Sequence, residues 1–540
     1  MTTKRSHPKP RGRTPGDTNI QGWGFDLHPQ VSFISGGLII LFIVLTLIFN
    51  EQADVAFKAI QNLIANTTGW FLILVTNIYL GVVIILAFSK FGKIRIGGED
   101  AQPEFSTFAW YAMLFSAGMG AGLLFWGIAE PISHFQTPPL GSEAGTAAAA
   151  EEAMGIIYFH WGLHGWGIYT LVGLSLAFFA FNRGLPLTIR SVFYPLLGEK
   201  IYEWPGNLID ILAVVSTLFG LATSLGFGAQ QVNAGLNLLV GLPNNVVVQV
   251  ILIAIITSFA TLSVVAGLDG GVRRLSEWNI YIAIAFFAFM LLIGPTQFIL
   301  DFFVQSLGYY IGIFPTISFW TEAFEGAFEG TNWQNGWTIF YWAWWIAWSP
   351  FVGIFIARVS KGRTVREFVL GVLFLPSFLS FIWMSCFGGS ALSLALKDIG
   401  NLPEAVEENM ATGLFVMLQQ FPLTSVSSFI GLLLVITFFV TSSDSGSLVV
   451  DNLTSGGKLD SPVPQRVFWA VMEGVVAAVL LLGGGLTALQ TAATTTGLPF
   501  AIVLLIMCFS LHRGLTEDWA ELEVKQLRKM EARRETETIT

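Results

Sequence analysis

The chain carries twelve long apolar runs separated by short segments that hold most of its charges. Each run is long enough to cross the hydrocarbon core of a bilayer, which takes about 20 helical residues. Only 12% of the 540 residues are charged, against roughly 25% in soluble proteins. Because the runs are too long and too uniformly apolar for the alternating strands of a barrel, the sequence predicts a polytopic all-α membrane protein. The runs span residues 31–49, 70–89, 106–128, 154–181, 207–230, 246–267, 278–303, 336–357, 368–396, 422–441, 467–485 and 494–511.

The distribution of Lys and Arg gives the expected orientation, since cytoplasmic loops and tails carry an excess of both residues. With both termini inside, 25 of the 27 basic residues fall on the cytoplasmic side, and only Lys58 and Lys397 fall on the other. The basic N-terminal stretch is expected to be a retained tail, because no small-residue cleavage site follows it. The sequence therefore predicts a multi-pass protein of the bacterial inner membrane, with cytoplasmic termini and membrane lipids around it.

Three glycines fall within five residues of the third apolar run, at Gly118, Gly120 and Gly122. Such spacing serves either tight helix packing or local unwinding, and the pattern alone leaves both open. Unwound backbone at membrane depth is tolerated where it lines a cavity, where it exposes carbonyls to cations and N–H groups to carboxylates. This chemistry suits a zwitterion together with an ion.

The eighth run is unusually rich in tryptophan, with Trp342, Trp344, Trp345 and Trp348. An interfacial belt or simple packing is one explanation. The other is a binding site, since aromatic faces bind quaternary ammonium groups, with about 2 kcal/mol for each desolvated contact. Trp344 or Trp345 shares a helix face with Trp348, because they lie about one turn apart. The fourth run adds three rings that would complete an aromatic cage: Trp161, Trp166 and Tyr169.

His160 and His164 are spaced i, i+4 in the fourth run, a spacing that can put two metal ligands on one helix face. No Glu follows His160, and no third ligand is evident in the runs. We therefore do not expect a metal centre. A membrane enzyme or receptor is also disfavoured, because the runs and their short loops contain no nucleophile motif, metal cluster or phosphate loop.

Three segments together resemble the betaine/choline/carnitine transporter family. They are the glycine run followed by LLFWG at 123–127, HWGLHGWGIY at 160–169, and YWAWWIAWSPFVGIFIARVSKGRTVREF at 341–368. The similarity covers about 30 to 512. The resemblance implies a homotrimer and a LeuT-like fold of twelve transmembrane helices containing two inverted five-helix repeats.

The resemblance also implies how the chain is divided. The two repeats would occupy 106–303 and 336–511, with a periplasmic or extracellular connecting segment at 304–335. Two peripheral transmembrane helices would precede them at 31–105. The cytoplasmic tails would comprise 1–30 and 512–540.

The substrate residues follow by resemblance. A central aromatic box would be formed by Trp161, Trp166, Tyr169 and Trp345, and Trp344 and Trp348 would touch the substrate along its route. The substrate carboxylate would face the backbone of Gly118, Met119, Gly120 and Gly122.

The segment 438–444 of the tenth run resembles the family's hydroxyl-bearing ion segment. The resemblance assigns sodium to Phe438, Thr441, Ser442, Ser116, Met119 and Thr217. Hydroxyls and freed carbonyls are the oxygen ligands that a hard cation prefers, although Ser and Thr also bond back to their own helix. Leu221 stands where sodium-coupled members commonly have a second threonine, which leaves the number of ions open.

The coupling and the substrate follow from two further positions. Sodium-independent exchangers of the family use a basic residue in the fifth run, and 207–230 contains no Arg or Lys. Proton-driven choline carriers tend to replace a glycine of the run by Asp, and Gly122 is intact here. We predict a sodium symporter that imports glycine betaine for osmoprotection, without a further cofactor or a nucleic-acid partner. Choline, carnitine, ectoine, dimethylsulfoniopropionate and a transporter-like solute sensor remain alternatives.

Two cytoplasmic elements are candidates for regulation. The C-terminal tail contains a predicted short helix at 517–534, which serves either osmotic sensing or solubility. The basic cluster after the eighth run either sets topology or meets a neighbouring protomer. It comprises Arg358, Lys361, Arg363 and Arg366.

Overall fold

The computed structural model describes residues 14–118, 120–266, 273–328 and 331–539, and this part is almost entirely helical. A short hairpin near the N-terminus pairs β1 (Ile20–Gly22) with β2 (Phe25–Leu27) in antiparallel register. The helices are α1 (Pro29–Ile48), α2 (Asn50–Phe88), α3 (Thr107–Gly118), α4 (Ala121–Gln136), α5 (Ala147–Trp161), α6 (Leu163–Arg183), α7 (Tyr194–Leu197), α8 (Trp204–Val240), α9 (Val246–Ala266), α10 (Arg273–Ile293), α11 (Thr296–Phe319), α12 (Ala323–Phe328), α13 (Trp333–Gly336), α14 (Thr338–Val359), α15 (Val365–Ala395), α16 (Leu402–Glu408), α17 (Gly413–Leu418), α18 (Thr424–Thr454) and α19 (Val463–Ile539). Short 3₁₀ turns lie at Lys90–Lys93, Ile189–Phe193, Gly198–Tyr202 and Met410–Thr412.

Ten helical stretches in the described part of the chain are long and apolar enough to cross a membrane. Large apolar side chains on the outer helices are exposed, including Leu41, Phe259, Leu292 and Val304. A continuous surface of this kind is unfavourable in water and matches the hydrocarbon of a bilayer. The all-helical, multi-pass architecture predicted from the apolar runs is therefore confirmed.

Some of the predicted runs do not correspond to one helix each in the structure. The run at 278–303 contains two helices, because α10 ends at Ile293 and α11 begins at Thr296. Pro295, the residue before α11, has no backbone N–H to continue the preceding helix. The predicted connecting segment 304–335 thus begins inside α11. The last two runs both lie in α19, which is interrupted by non-helical backbone at Gly484 and Gly485.

The glycine-rich third run is divided into two helices, and this interruption matters most for the site. α3 ends at Gly118 and α4 begins at Ala121, and Gly120 between them has extended backbone angles. The glycine spacing left tight helix packing and local unwinding open, and the structure shows local unwinding. A second interruption at Gly162 separates α5 from α6. A side chain there would lie 2.4 Å from the Tyr158 carbonyl oxygen, so this close approach requires glycine.

The centre of the molecule is formed by α14 and the helices packed around it. α14 contacts α6, α8 and α19, and nearly all of its side chains are buried. Because α14 is tryptophan-rich and surrounded by other helices, its indole rings are held in the protein interior. They do not form an interfacial belt.

The two segments that are candidates for regulation make contacts within this chain. α19 continues through the predicted helix at 517–534, and Arg183 at the end of α6 pairs with Glu517 (3.3 Å) and Asp518 (2.9 Å). In the basic cluster, Arg363 donates to the Phe105 carbonyl (2.8 Å) and Arg366 donates to the Ala87 carbonyl (2.9 Å). These two arginines thus have structural roles that require no neighbouring protomer.

Candidate substrate and ion site

A cavity lies where the unwound segment before α4 faces the middle of the helix bundle. It contains about 570 Å³ of space between atoms, part of which is open to solvent. Its lining is mostly aromatic and aliphatic, with two serine hydroxyls and the phenol of Tyr169. The lining residues are Gly120, Ala121, Gly122, Leu123, Trp161, Tyr169, Ser224, Leu225, Trp344, Trp345, Trp348, Phe438, Phe439 and Ser442.

The aromatic residues predicted from α5, α6 and α14 converge on this cavity. The Trp345 ring centroid lies 4.8 Å from that of Tyr169, 5.8 Å from that of Trp161 and 6.0 Å from that of Trp166. Trp344 meets Trp161 edge-on at 6.2 Å. The rings are all buried. Trp161, Tyr169, Trp344 and Trp345 line the cavity, and aromatic rings are the groups that hold a quaternary ammonium ion.

Trp166 differs from the other predicted box residues, because it does not line the cavity. Its ring stands at 90° to Tyr169, with the centroids 5.5 Å apart, and also contacts Trp345. Trp166 therefore holds two cavity-lining rings in place from behind. Among the remaining predicted substrate residues, Trp344, Trp348, Gly120 and Gly122 line the cavity. Gly118 is the last residue of α3, and Met119 lies outside the described residues.

The cavity meets the N-terminus of α4. Gly120 caps this helix without any side-chain hydrogen bond, and the first residues of α4 line the cavity. The first N–H groups of a helix have no partner within the helix, and the helix dipole favours an anion there. A side chain at Gly122 would lie 3.0 Å from Trp344 and 3.3 Å from Trp161, so the rings approach the backbone closely at this point. The cavity thus has an anion-favouring end beside its aromatic wall.

Gly165 on α6 allows Trp345 to take its position, and this leads to a prediction. A side chain at Gly165 would lie 2.5 Å from the indole of Trp345. Gly165→Ala is expected to displace this ring and raise the KM for substrate at least about tenfold, a cost of about 1.4 kcal/mol. Gly81→Ala on α2 is the matched control, because nothing lies within 4 Å of the added carbon. Equal KM values for the two variants in uptake assays would contradict this role for Gly165.

The six predicted sodium ligands are only partly brought together. Phe438 and Ser442 line the cavity. The Thr441 hydroxyl donates to the carbonyls of Thr437 (2.9 Å) and Phe438 (3.2 Å), so it bonds back to its own helix. The Thr217 hydroxyl is buried and has no hydrogen-bond partner in the described part of the chain. Ser116 lies in α3, where its side chain is not described, and Met119 lies outside the described residues.

Leu221 packs against α18. A carbon added to Gly446 of that helix would lie 2.4 Å from the Leu221 side chain, which is fully buried. The position therefore presents hydrocarbon to α18, where a threonine would present an oxygen ligand. This packing agrees with the doubt about a second sodium ion near Thr217.

Glu130 is the residue beside the cavity that sequence reasoning missed. It is fully buried on α4. Its Oε2 accepts hydrogen bonds from Trp161 Nε1–H (2.9 Å) and the Tyr341 hydroxyl (2.5 Å), and its Oε1 lies 2.6 Å from His160 Nδ1. Trp161 lines the cavity, so Glu130 fixes the orientation of one of its walls. Nothing in the sequence pairs these residues, which lie on three different helices.

The two histidines of the fourth run have separate partners. His164 Nε2 lies 3.1 Å from Asn77 Oδ1, whereas His160 joins Glu130. His134 Nε2 lies 3.4 Å from Glu130 Oε1, so donor atoms of Glu130, His134 and His160 are grouped within 4.8 Å of one another. Because the Glu130 carboxyl already accepts hydrogen bonds from Trp161 and Tyr341, the group is an interior hydrogen-bonding network around a carboxylate.

Comparison with known proteins identifies the scaffold that carries this cavity. The model of the betaine/carnitine/choline family transporters (BCCT) matches residues 30–520. The chain is 47% identical to a glycine betaine/proline/choline transporter of Vibrio parahaemolyticus, over 94% of this chain and 93% of that protein. It is 46% identical to glycine betaine transporter 1 of the same organism, over 93% and 96% of the two chains.

A third relative is the glycine betaine transporter of Acinetobacter baylyi, which is 43% identical over 93% of this chain and 75% of that protein. These matches confirm the resemblance based on the three sequence motifs, and they show a membrane transporter rather than an enzyme. The chain belongs to the betaine/carnitine/choline family of transporters.

Proposed function

We propose that this transporter imports glycine betaine across the bacterial inner membrane by symport with sodium, as an osmoprotectant. The observation that carries the proposal is the buried aromatic wall of Trp161, Tyr169 and Trp345 beside the N-terminus of α4. A trimethylammonium group has no N–H to donate, so it is bound by ring faces and shape. The carboxylate of the same molecule suits the helix N-terminus.

Two indole groups strengthen the argument for an anionic end of the substrate. The Nε1–H groups of Trp344 and Trp345 are buried and have no hydrogen-bond acceptor among the described residues. A buried donor without an acceptor costs about 1–3 kcal/mol. A bound carboxylate would supply an acceptor to either group and recover part of this cost. A zwitterion thus fits the cavity better than a cation such as choline.

Sodium is proposed to bind near Phe438 and Ser442, where α18 reaches the cavity. A zwitterion crosses the membrane without net charge and gains nothing from the membrane potential. Each sodium ion that accompanies it contributes roughly 2.3 kcal/mol per 100 mV. This is a concentration factor of about forty to fifty per ion. Symport therefore explains how a neutral osmolyte accumulates.

The proposed architecture has twelve transmembrane helices and two inverted five-helix repeats. Support comes from the interruptions of the helices, since repeats of this kind bind substrate at discontinuous helices near the midplane. The chain unwinds between α3 and α4, and Trp337 breaks the path between α13 and α14. Cytoplasmic termini follow from the 25 basic residues on the inner side. A homotrimer follows from the family alone.

Uptake by purified protein in proteoliposomes tests the proposal. We expect labelled glycine betaine to accumulate when sodium is outside, and not when potassium replaces it. Binding without accumulation would support a solute sensor. The Vibrio relative that is 47% identical is named for proline and choline as well as glycine betaine. Competition by choline, carnitine, ectoine and dimethylsulfoniopropionate against glycine betaine uptake therefore identifies the preferred substrate. Choline competing more strongly than glycine betaine would contradict the preference for a zwitterion.

Ser442 provides a test of the ion site. Ser442→Ala removes a cavity-lining hydroxyl from α18 and is expected to raise the sodium concentration for half-maximal uptake several-fold, because a hard cation prefers oxygen ligands. Ser428→Ala is the control, since Ser428 is another serine of α18, buried without a hydrogen-bond partner in the described chain, and it does not line the cavity. Identical sodium dependence in both variants would remove Ser442 from the site.

A further inference from the structure

A second group of buried oxygen atoms lies on another face of α18, where this helix packs against α9 and α19. It is formed by Thr257 of α9, Ser443 and Asp444 of α18, and Glu473 of α19. Each side chain is more than nine-tenths buried. Ser442, which precedes the group directly, faces the cavity instead. The group is therefore separate from the site described above.

The members of this group lie next to one another. The Ser443 hydroxyl and the Asp444 carboxyl are both close enough to Glu473 to interact with its carboxyl. Thr257 Oγ1 lies against the backbone beside Glu473, since a carbon added to Gly474 would be 2.4 Å from it. Asp444 Oδ2 accepts a hydrogen bond from Ser263 Oγ (2.7 Å). Three helices thus bring two carboxyls and several hydroxyls into one buried region.

Most of these oxygen atoms lack a partner. Thr257 Oγ1, Ser443 Oγ, Asp444 Oδ1 and both carboxyl oxygens of Glu473 are buried without a hydrogen-bond partner among the described residues. An unpaired buried charge costs several kcal/mol. Acidic side chains at membrane depth are rare, and they mark ion and proton pathways. The group therefore offers several unpaired oxygen atoms to a shared ligand.

We propose that Asp444, Glu473, Ser443 and Thr257 form a binding site for a second sodium ion between α9, α18 and α19. Carboxylate and hydroxyl oxygens are the ligands of a hard cation. The positive ion offsets the carboxylate charge and gives the unpaired oxygens a common partner. Because Ser442 and Ser443 are adjacent, occupation of this site bears directly on the part of α18 that lines the cavity. The inference rests on the proposed sodium coupling.

Sodium binding is measured first without substrate, as the rise in thermal stability of the detergent-solubilised protein when NaCl replaces KCl. For Glu473→Gln and Asp444→Asn, which keep the side-chain shape, the sodium concentration for half-maximal stabilisation is expected to rise at least about tenfold for one component of the titration, a change of about 1.4 kcal/mol. Ser443→Ala is a milder variant in case an amide impairs folding. Ser428→Ala is the control, with a titration like that of the unmodified protein.

Uptake in proteoliposomes then separates this inference from the proposed function. The expected result is a less steep dependence of uptake on sodium in Glu473→Gln. If both measurements in this variant match those of the unmodified protein, the second site is wrong while sodium-coupled uptake stands. If the titration changes but the unmodified protein does not transport glycine betaine, the site stands and the proposed function falls. A variant that loses only a pH dependence of uptake would show a proton site and overturn the sodium proposal.

Discussion

Trp345→Leu is expected to raise the KM for glycine betaine at least about tenfold while leaving membrane insertion intact. The Trp345 ring contacts Trp161, Trp166 and Tyr169, so it is the ring shared by the whole aromatic group. A desolvated contact between a quaternary ammonium group and an indole contributes about 2 kcal/mol, and about 1.4 kcal/mol is tenfold in affinity. Leucine fills much of the space without supplying a ring face. Initial uptake rates over a range of glycine betaine concentrations measure the effect.

The control for this substitution is Trp204→Leu. Trp204 begins α8, is largely exposed and does not line the cavity. Its replacement is expected to leave the KM unchanged. If Trp345→Leu transports glycine betaine with the kinetics of the unmodified protein, the aromatic group does not bind the substrate.

Glu130→Gln is expected to lower the thermal stability and to weaken glycine betaine binding together. The Glu130 carboxylate accepts hydrogen bonds from Trp161 and Tyr341 and lies against His160. Trp161 and Tyr341 both donate to Oε2, and His160 faces Oε1. In a glutamine the NH₂ group replaces one of these two oxygens, so the network loses an acceptor on one side and the carboxylate charge on both. Breaking a buried charged network costs about 3–5 kcal/mol. Because Trp161 loses its fixed orientation, the KM is expected to rise at least several-fold.

Comparison with a second buried carboxylate distinguishes a purely structural role of Glu130 from a role in positioning Trp161. Asp210 pairs with Arg190 in the interior, and neither residue lines the cavity. Asp210→Asn is expected to lower the Tm and leave the KM for glycine betaine near its original value. If Glu130→Gln behaves in the same way, Glu130 serves stability alone.

The aromatic part of the site could be predicted from sequence, because its residues lie in two short motifs. Trp344 and Trp345 are adjacent in one helix, and Trp161 and Tyr169 lie within nine residues of each other. The richness in aromatic residues indicated a cage, and the resemblance to the family indicated which rings would form it. The polytopic, almost entirely helical fold was equally predictable, because each apolar run is long enough to cross the hydrocarbon core of a bilayer as a helix.

Other features depended on packing between distant segments and were not predictable. Glu130 accepts a hydrogen bond from Tyr341 of another helix. The Asp444 carboxyl likewise lies near the carboxyl of Glu473, which belongs to another helix. The Thr441 hydroxyl donates to a carbonyl of its own helix. Composition alone does not decide between this bond and a contact with the cavity. The short break before α11 is different, because the Gly294–Pro295 pair marks it in the sequence. It was missed because the apolar run continues on both sides of this pair, as it would in one helix.

The central claim is that the aromatic cavity binds a methylated cation, and a cryo-EM structure of the protein with glycine betaine tests it most directly. The predicted result is density for the trimethylammonium group within about 6 Å of the ring centroids of Trp161, Tyr169 and Trp345, with the carboxylate toward the N-terminus of α4. A second, more open pocket is lined by Trp333 and Trp337 among other residues. Density for the ligand only in that pocket, with the aromatic cavity empty, would contradict the account.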